Sequence, residues 1–321
     1  MSRPTIRVRV AHKAVEALDI CTFELVPADG GTLPPFSAGS HVDVHLPAGV
    51  VRQYSLCNDP SEGHRYVIAV LKVPDTRGGS KAMHEQIHEG DELQISEPKN
   101  HFPLAHGATR HLLMAGGIGV TPILCMAERL ALIGEDFEMH YCTRSQDRTA
   151  FKDRIRRSAF ASQVQFHFDD GEAAQKLDLA TLLARPQPGV QLYVCGPKGF
   201  MDAVLGTARA QGWPEDQLNW EFFSAEVKRS SADEDFDIVV ASSGRVVTIP
   251  ANRTVAQALS EAGIFVPTSC EQGICGTCLT RVLEGEPDHR DLYLTPEEQS
   301  LNDQFTPCCS RSKTARLVLD L

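Results

Sequence analysis

The sequence predicts a multidomain α+β chain: an all-β antiparallel barrel, then an α/β domain with a parallel sheet, then a small domain centred on cysteines. Three observations predict it. Over residues 1–106, short strand-like runs recur between turn clusters. From residue 107, strand-like and helix-like runs alternate, the pattern of a parallel sheet with crossover helices. Near the end of the chain, Cys270, Cys275, Cys278, Cys308 and Cys309 crowd together, half of the 10 cysteines present.

Taken in order, residues 5–10, 41–46, 66–73 and 92–96 read as strands of the first domain, and residues 27–32, 58–63 and 75–79 as turns. The compact apolar run 111–115 leads into GGIGVTP (residues 116–122) and then into an apolar helical pattern over 123–133. Strands are expected at 137–142, 164–168 and 191–195, the last of them ending the parallel sheet, and a helix at 200–210. The stretch AEVKRSSADED (225–235) is polar and has a linker's composition. Two strands, 236–241 and 245–249, then flank a Ser-Ser-Gly turn, and Thr254 is placed to cap a helix over 255–262. The domain boundaries expected are 1–106, 107–224 and 236–321, with 225–235 between the last two.

Composition narrows the function. The 321 residues carry a formal net charge of −11, which argues against general nucleic-acid binding. No apolar run approaches the roughly 20 residues of a membrane span, and the start has no apolar signal region. A cytoplasmic monomer is expected. In a reducing cytosol, crowded cysteines indicate metal or redox chemistry rather than disulfides.

The C-terminal pattern is Cys270-x4-Cys275-x2-Cys278, with Cys308 and Cys309 some thirty residues on. This is the plant-type [2Fe–2S] spacing. Two irons need four converging thiolates, and Gly273 and Gly276 allow the tight turns that such a loop requires. Zinc sites commonly use two C-x2-C pairs, whereas one occurs here. The fourth ligand is Cys308 or Cys309.

Arg52-Gln53-Tyr54-Ser55 on a strand offers a cation, an aromatic face and a hydroxyl donor, the set a flavin needs. Taken singly these are ordinary strand residues. Arg77-Gly78-Gly79-Ser80 lets backbone amides approach an anion, and a helix beginning at Ser80 would favour phosphate. Gly116, Gly117, Gly119, Thr121 and Pro122 lie where a glycine-rich loop between strand and helix cradles a pyrophosphate, although the GxGxxG fingerprint is absent. Cys195-Gly196-Pro197 ends a strand at the same edge of the sheet. Arg144, after the strand 137–142, is the one feature that would favour a 2′-phosphate.

Together, RQYSL, RGGS, GGIGVTP, CGP and the terminal cysteine loop resemble, in order and over essentially the whole chain, the phthalate dioxygenase reductase family. Within it, CEQGICGTCLTRVLEGEPDHRDLYLT followed by PCCSR is similar to vanillate O-demethylase reductase subunits. The resemblance implies FMN, NADH and a [2Fe–2S] cluster in a β-grasp ferredoxin domain, with Cys308 as the fourth ligand. It implies Arg52, Tyr54 and Ser55 at the flavin, Gly79 and Ser80 at its phosphate, Thr121 and Cys195 near the nicotinamide, and Phe223 of WEFFS covering the flavin. The implied partner is a Rieske-type terminal oxygenase that demethylates or hydroxylates an aromatic acid. Apart from the resemblance, Glu271 and Glu284 lie in a patch around the cluster loop that could dock a partner, although most surface carboxylates are simply solvated. The rival functions are a stand-alone NAD(P)H-dependent reductase of small acceptors and a redox sensor.

Overall fold

Alternation of apolar and polar residues builds the first sheet of this computed structural model, which describes residues 5–74, 78–223 and 233–321. Its strands are β1 (Thr5–Ala17), β2 (Ile20–Pro27), β3 (Ser40–His45), β4 (Val51–Ser55), β5 (Tyr66–Leu71), β6 (Glu92–Ser96) and the short β7 (Lys99–Asn100), with helix α1 (Gly79–Gln86) between β5 and β6. The order β4-β3-β6-β1-β2-β5 is antiparallel throughout, and β7 pairs with β3. The sheet curls until its edges meet: Leu56, just past β4, bridges to Ile68 of β5, and the Cys57 amide donates to Val67 at 2.9 Å. Val8, Val10, Phe23, Leu25, Val42, Val44 and Ile95 fill the interior. The sequence does not reveal β2 or the full length of β1. Bulges between Val10 and His12 and between Val15 and Ala17 shift the register of the β1–β2 hairpin, which breaks the two-residue period.

The second sheet is parallel, ordered β10-β9-β8-β11-β12. Its strands are β8 (Arg110–Gly116), β9 (Phe137–Thr143), β10 (Val164–Phe168), β11 (Val190–Cys195) and β12 (Leu218–Glu221), with helices α2 (Val120–Ile133), α3 (Lys152–Arg157), α4 (Leu179–Leu182) and α5 (Lys198–Ala210) between them. Helix α2 is apolar on nearly every side, because it lies between this sheet and the barrel. One core cluster joins Ile20, Cys57, Ala69 and Phe102 of the barrel part to Ala115, Ile123, Tyr141 and Cys195 of the parallel part. Hence the chain through Phe223 forms one compact unit, and residue 106 marks a change of architecture within it. Ion pairs and hydrogen bonds add to the seam: Arg148 to Asp19 at 3.0 Å, Glu16 accepting from the Phe151 amide at 2.7 Å, and Arg154 donating to the Cys57 carbonyl at 3.0 Å. One expectation is corrected here. Cys195 does not end the last parallel strand, since β12 pairs with β11 beyond it; four residues with polar Asn219 and Glu221 give too little period to read.

The remainder of the chain is a second unit. A mixed sheet, β14-β13-β19-β15-β17, is made from β13 (Phe236–Val240), β14 (Val246–Ile249), β15 (Thr280–Glu284), β17 (Gln304–Phe305) and β19 (Arg316–Leu319). The small pair β16 (Pro287–Asp288) and β18 (Arg311–Ser312) lies beside it, with helices α6 (Val255–Glu261) and α7 (Pro296–Leu301). The first strand and the last, β13 and β19, run parallel side by side, and α6 covers the sheet through Val255 and Leu259. Thr254 caps α6 as expected, in a reciprocal box with Gln257. Most of the expected linker, through residue 232, falls outside the described residues. Its last part is tied to this unit: Asp233 pairs with Arg290 at 2.6 Å, and Asp235 accepts from the Ala251 amide at 2.8 Å.

Candidate functional site

The cysteine loop runs from Cys270 to Cys278, and β17 and the turn that follows it bring Cys308 back to it. All four sulfur side chains are buried. They meet in pairs, Cys270 with Cys275 and Cys278 with Cys308, and Cys270 also touches Cys308. Hydrogen bonds from Cys275 and Cys308, and from the Ile274 and Gln272 amides, hold the Cys270 thiol far below its ordinary pKa. The Gln272 amide donates to that sulfur at 3.4 Å. Among the described residues no group of three or more His, Cys, Asp or Glu side chains is placed to hold a single metal ion. Two pairs of sulfurs suit paired irons, each of which takes two protein thiolates.

The loop's glycines are needed for space as well as conformation. Gly273 has φ +72, and a Cβ there would lie 2.4 Å from Cys309 Sγ; Gly276 has φ +65, and its Cβ would strike the Tyr293 ring at 2.2 Å. Cys309 is packed behind the loop, 3.1 Å from the Thr306 hydroxyl and beside Cys308, while Cys308 also meets Cys270 and Cys278. The donor set fits a [2Fe–2S] cluster.

In the first unit, Arg52 lies across the start of α1. A Cβ on Gly79 would come within 2.6 Å of the Arg52 side chain, and Gly78 sits at φ +93. Helix α1 thus begins at Gly79, one residue before the position expected, and among the described residues no side chain caps its first amides. The helix's first amides, its dipole and a guanidinium converge there, a seat suited to a phosphate. Ser80 turns its hydroxyl to the Val73 amide, 3.2 Å away. Lys13 closes the other end of α1, donating to the carbonyls of Met83, His84 and Ile87 at 3.3, 2.7 and 2.6 Å. Arg77 lies outside the described residues. Tyr54 shares the Arg52 face of β4, and burial pushes its phenol pKa up, so it stays neutral. Gln53 faces the other way, with its amide donating to Asp43 at 3.1 Å, and the structure does not bring that side chain to Arg52 and Tyr54.

The crossover in strand order lies between β8 and β11, and an open α/β sheet binds ligands at the carboxyl ends of such strands. GGIGVTP leaves β8 and Cys195-Gly196-Pro197 leaves β11 at that edge. The two loops pack backbone to backbone: a Cβ on Gly119 would lie 2.3 Å from the Cys195 carbonyl, and one on Gly196 would lie 2.9 Å from the Gly116 Cα. Thr121 is buried, its hydroxyl donating to the Ile118 carbonyl at 3.1 Å, and Pro122 is buried in the first turn of α2. Phe223 packs on the core cluster that contains Cys195, while Phe222 packs on the opposite side of the sheet, which separates the two adjacent rings.

One residue of this site escapes the sequence. Glu221 ends β12 level with Cys195, and burial raises its carboxyl pKa to about 8. It bonds the Ser55 hydroxyl, and its Oε2 is buried with no hydrogen-bond partner among the described residues. Burial, then this carboxyl, push the Cys195 thiol well up, so the thiol is neutral. Ser55, Cys195 and Glu221 thus form a polar triad beside Phe223 that no local pattern announces.

Fold and donor sets define an iron–sulfur oxidoreductase. Residues 238–313 match the 2Fe-2S iron-sulfur cluster binding domain, and residues 96–218 match the N-terminal domain of dimethylamine monooxygenase subunit DmmA-like proteins. The chain is 58% identical over 313 residues to vanillate O-demethylase oxidoreductase of Pseudomonas putida, covering 97% of this chain and 98% of that protein. It is 40% identical over 317 residues to phthalate dioxygenase reductase of Burkholderia cepacia, covering 98% and 97%. A solved structure of phthalate dioxygenase reductase, described as modular for electron transfer from pyridine nucleotides to [2Fe–2S], superposes with a TM-score of 0.80 at 40% identity, over 99% of this chain and 98% of that one. The chain belongs to the phthalate dioxygenase reductase family of oxygenase reductases. Among the described residues, no helix is long and apolar enough to cross a membrane.

Proposed function

We propose that this chain is the reductase component of a Rieske-type aromatic oxygenase or O-demethylase, passing electrons from NADH through FMN and a [2Fe–2S] cluster to that oxygenase. The observation that carries this reading is the convergence of Cys270, Cys275, Cys278 and Cys308 in one chain with the Arg52–α1 anion seat and the loops at the β8/β11 crossover. When bound, the flavin and the cluster supply the conversion of a hydride's electron pair into single electrons. The protein supplies the positions.

Arg52 and the amides of Gly79 and Ser80 hold the flavin phosphate. Tyr54 and Phe223 offer aromatic surface to the ring, and Ser55 donates to it. Gln53 contributes through its backbone. The loops with Gly116, Gly117, Gly119, Thr121 and Pro122, and with Cys195, Gly196 and Pro197, receive the dinucleotide. The Glu221 carboxyl, neutral near pH 7, presents an unused oxygen to the nicotinamide end. Hydride transfer between bound rings requires positioning and no general base. In this reading residues 1–106 bind FMN, 107–224 bind NADH, and 236–321 carry the cluster after the linker 225–235. A cytoplasmic monomer completes it, with Glu271 and Glu284 docking the oxygenase.

The test is anaerobic addition of NADH to the loaded protein, following flavin and cluster absorbance, with mass spectrometry of the released flavin and a comparison with NADPH. Bleaching of both chromophores, FMN in the mass spectrum and turnover on adding a Rieske oxygenase support the reading. No bleaching favours a sensor. Bleaching with turnover only on small acceptors favours a stand-alone reductase.

A further inference from the structure

Behind the sulfur pocket lies a buried titratable pair that electron transfer itself does not require. His289 and Asp291 stand on the turn after β16, with side chains 7% and 0% exposed, and His289 Nδ1 is 3.6 Å from Asp291 Oδ1. Among the described residues neither ring nitrogen of His289 has a hydrogen-bond partner. Asp291, in contrast, is held firmly: its Oδ2 accepts from the Leu294 amide at 2.8 Å and its Oδ1 from the Ser310 hydroxyl at 3.2 Å. The pair lies against the cluster loop. The Asp291 Cα is 2.9 Å from the place a Cβ on Gly273 would take, and the next amide, that of Leu292, donates to the Gly273 carbonyl at 2.9 Å.

A carboxylate shut off from water needs a counter-charge, and His289 is the ion-pair partner within reach. The other charges nearby are engaged with one another. Arg290 turns to Asp233 and Asp288, both at 2.6 Å, and Arg311 lies 3.9 Å from Asp233. The Cys309 thiol, which feels the Asp291 charge, is bonded to Thr306 and Ser310.

We propose that His289, held in place by Asp291, takes up a proton as an electron arrives at the cluster and releases it as the electron leaves. The inference rests on the cluster reading given above. The step balances: one electron comes from the nicotinamide by way of the flavin, and one proton comes from solvent to the imidazole. No bond to sulfur forms or breaks. Added negative charge on the other side of Gly273, in a region of low dielectric, raises the affinity of the imidazole for its proton. His289 is a positioning residue in this scheme, acting on the potential without touching a reacting atom.

The experiment is a redox titration of the full-length, cluster-loaded protein over roughly pH 5.5–9, where an imidazole titrates. The cluster absorbance is read in the native protein, in His289→Gln and in Asp291→Asn. The native midpoint potential is expected to fall as pH rises through the imidazole range and to level off outside it. In His289→Gln the potential is expected to be flat, and in Asp291→Asn the sloping window moves to lower pH. A flat native profile, or an unchanged slope in His289→Gln, overturns the proposal. A native preparation with no cluster absorbance before any titration overturns the site reading instead, so the two failures are distinct.

Discussion

At the scale of single residues, Glu221 shows how position overrides type. A carboxylate normally ionises near pH 4, but this one is enclosed and shares one hydrogen bond with Ser55, so it keeps its proton to about pH 8. Its folded pKa is raised, so the folded state holds the proton over a range in which the unfolded chain has lost it. Stability from this group is therefore present in acid and declines as pH rises toward 8. Glu221→Gln is expected to remove that decline, with a gain of roughly 1–3 kcal/mol at pH 8, measured by urea unfolding at pH 6 and pH 8. A loss of stability at pH 8 would count against a neutral carboxyl there. The adjacent cysteines give a second contrast. Cys308 meets the other sulfurs and Cys309 packs under Gly273. Cys308→Ser should lose most bound iron and sulfide, while Cys309→Ser keeps the cluster at a cost of about 1 kcal/mol in stability, as for a small change in packing. Iron analysis of both variants checks this, and equal iron loss would break the assignment.

At the scale of elements, helix α1 is short and draws its stability from its ends. Lys13 donates to three carbonyls at its C-terminus, while Arg52 and Gly79 shape its N-terminus. Lys13→Met is expected to cost about 1–2 kcal/mol, since a charged cap and its hydrogen bonds are lost, and to weaken flavin retention several-fold. Flavin release on dilution reports it, and unchanged retention would separate the cap from the phosphate seat. The loops after β8 and β11 depend on the absence of side chains. Gly119→Ala drives a Cβ into the Cys195 carbonyl and is expected to raise KM for NADH roughly tenfold, equivalent to about 1.4 kcal/mol, with little change in flavin content. Steady-state reduction of a dye acceptor tests it, and an unchanged KM would show that the two loops need not touch. The motif GGIGVTP indicates small residues in sequence, but which backbone they admit is visible only once β8 and β11 lie side by side.

At the scale of the molecule, the net charge of −11 bears on the proposed docking of an oxygenase through Glu271 and Glu284. Paired Glu271→Gln and Glu284→Gln substitutions are expected to slow oxygenase-coupled turnover several-fold at low salt, while dye reduction stays level and the difference shrinks as salt rises. Equal slowing with dye would place the defect inside the reductase. Between the two units, the sequence shows a polar stretch, and the structure shows that Asp233 and Asp235 already belong to the second unit through Arg290 and Ala251.

From the sequence come the order of architectures, the cysteines proposed as cluster ligands by type and spacing, and the loops proposed for phosphate and nucleotide chemistry. Those features depend on local rules: the periods of strand and helix, glycine's conformational freedom, and a metal cluster's need for closely spaced thiolates. Only the tertiary structure decided that Glu221 joins Ser55 and Cys195, that Cys309 packs under Gly273 beside Cys308, that Gln53 turns from Arg52, and that His289 stands buried against Asp291. Each of these depends on which strands become neighbours and on what burial does to a charge, and neither can be read from residues close together in the chain.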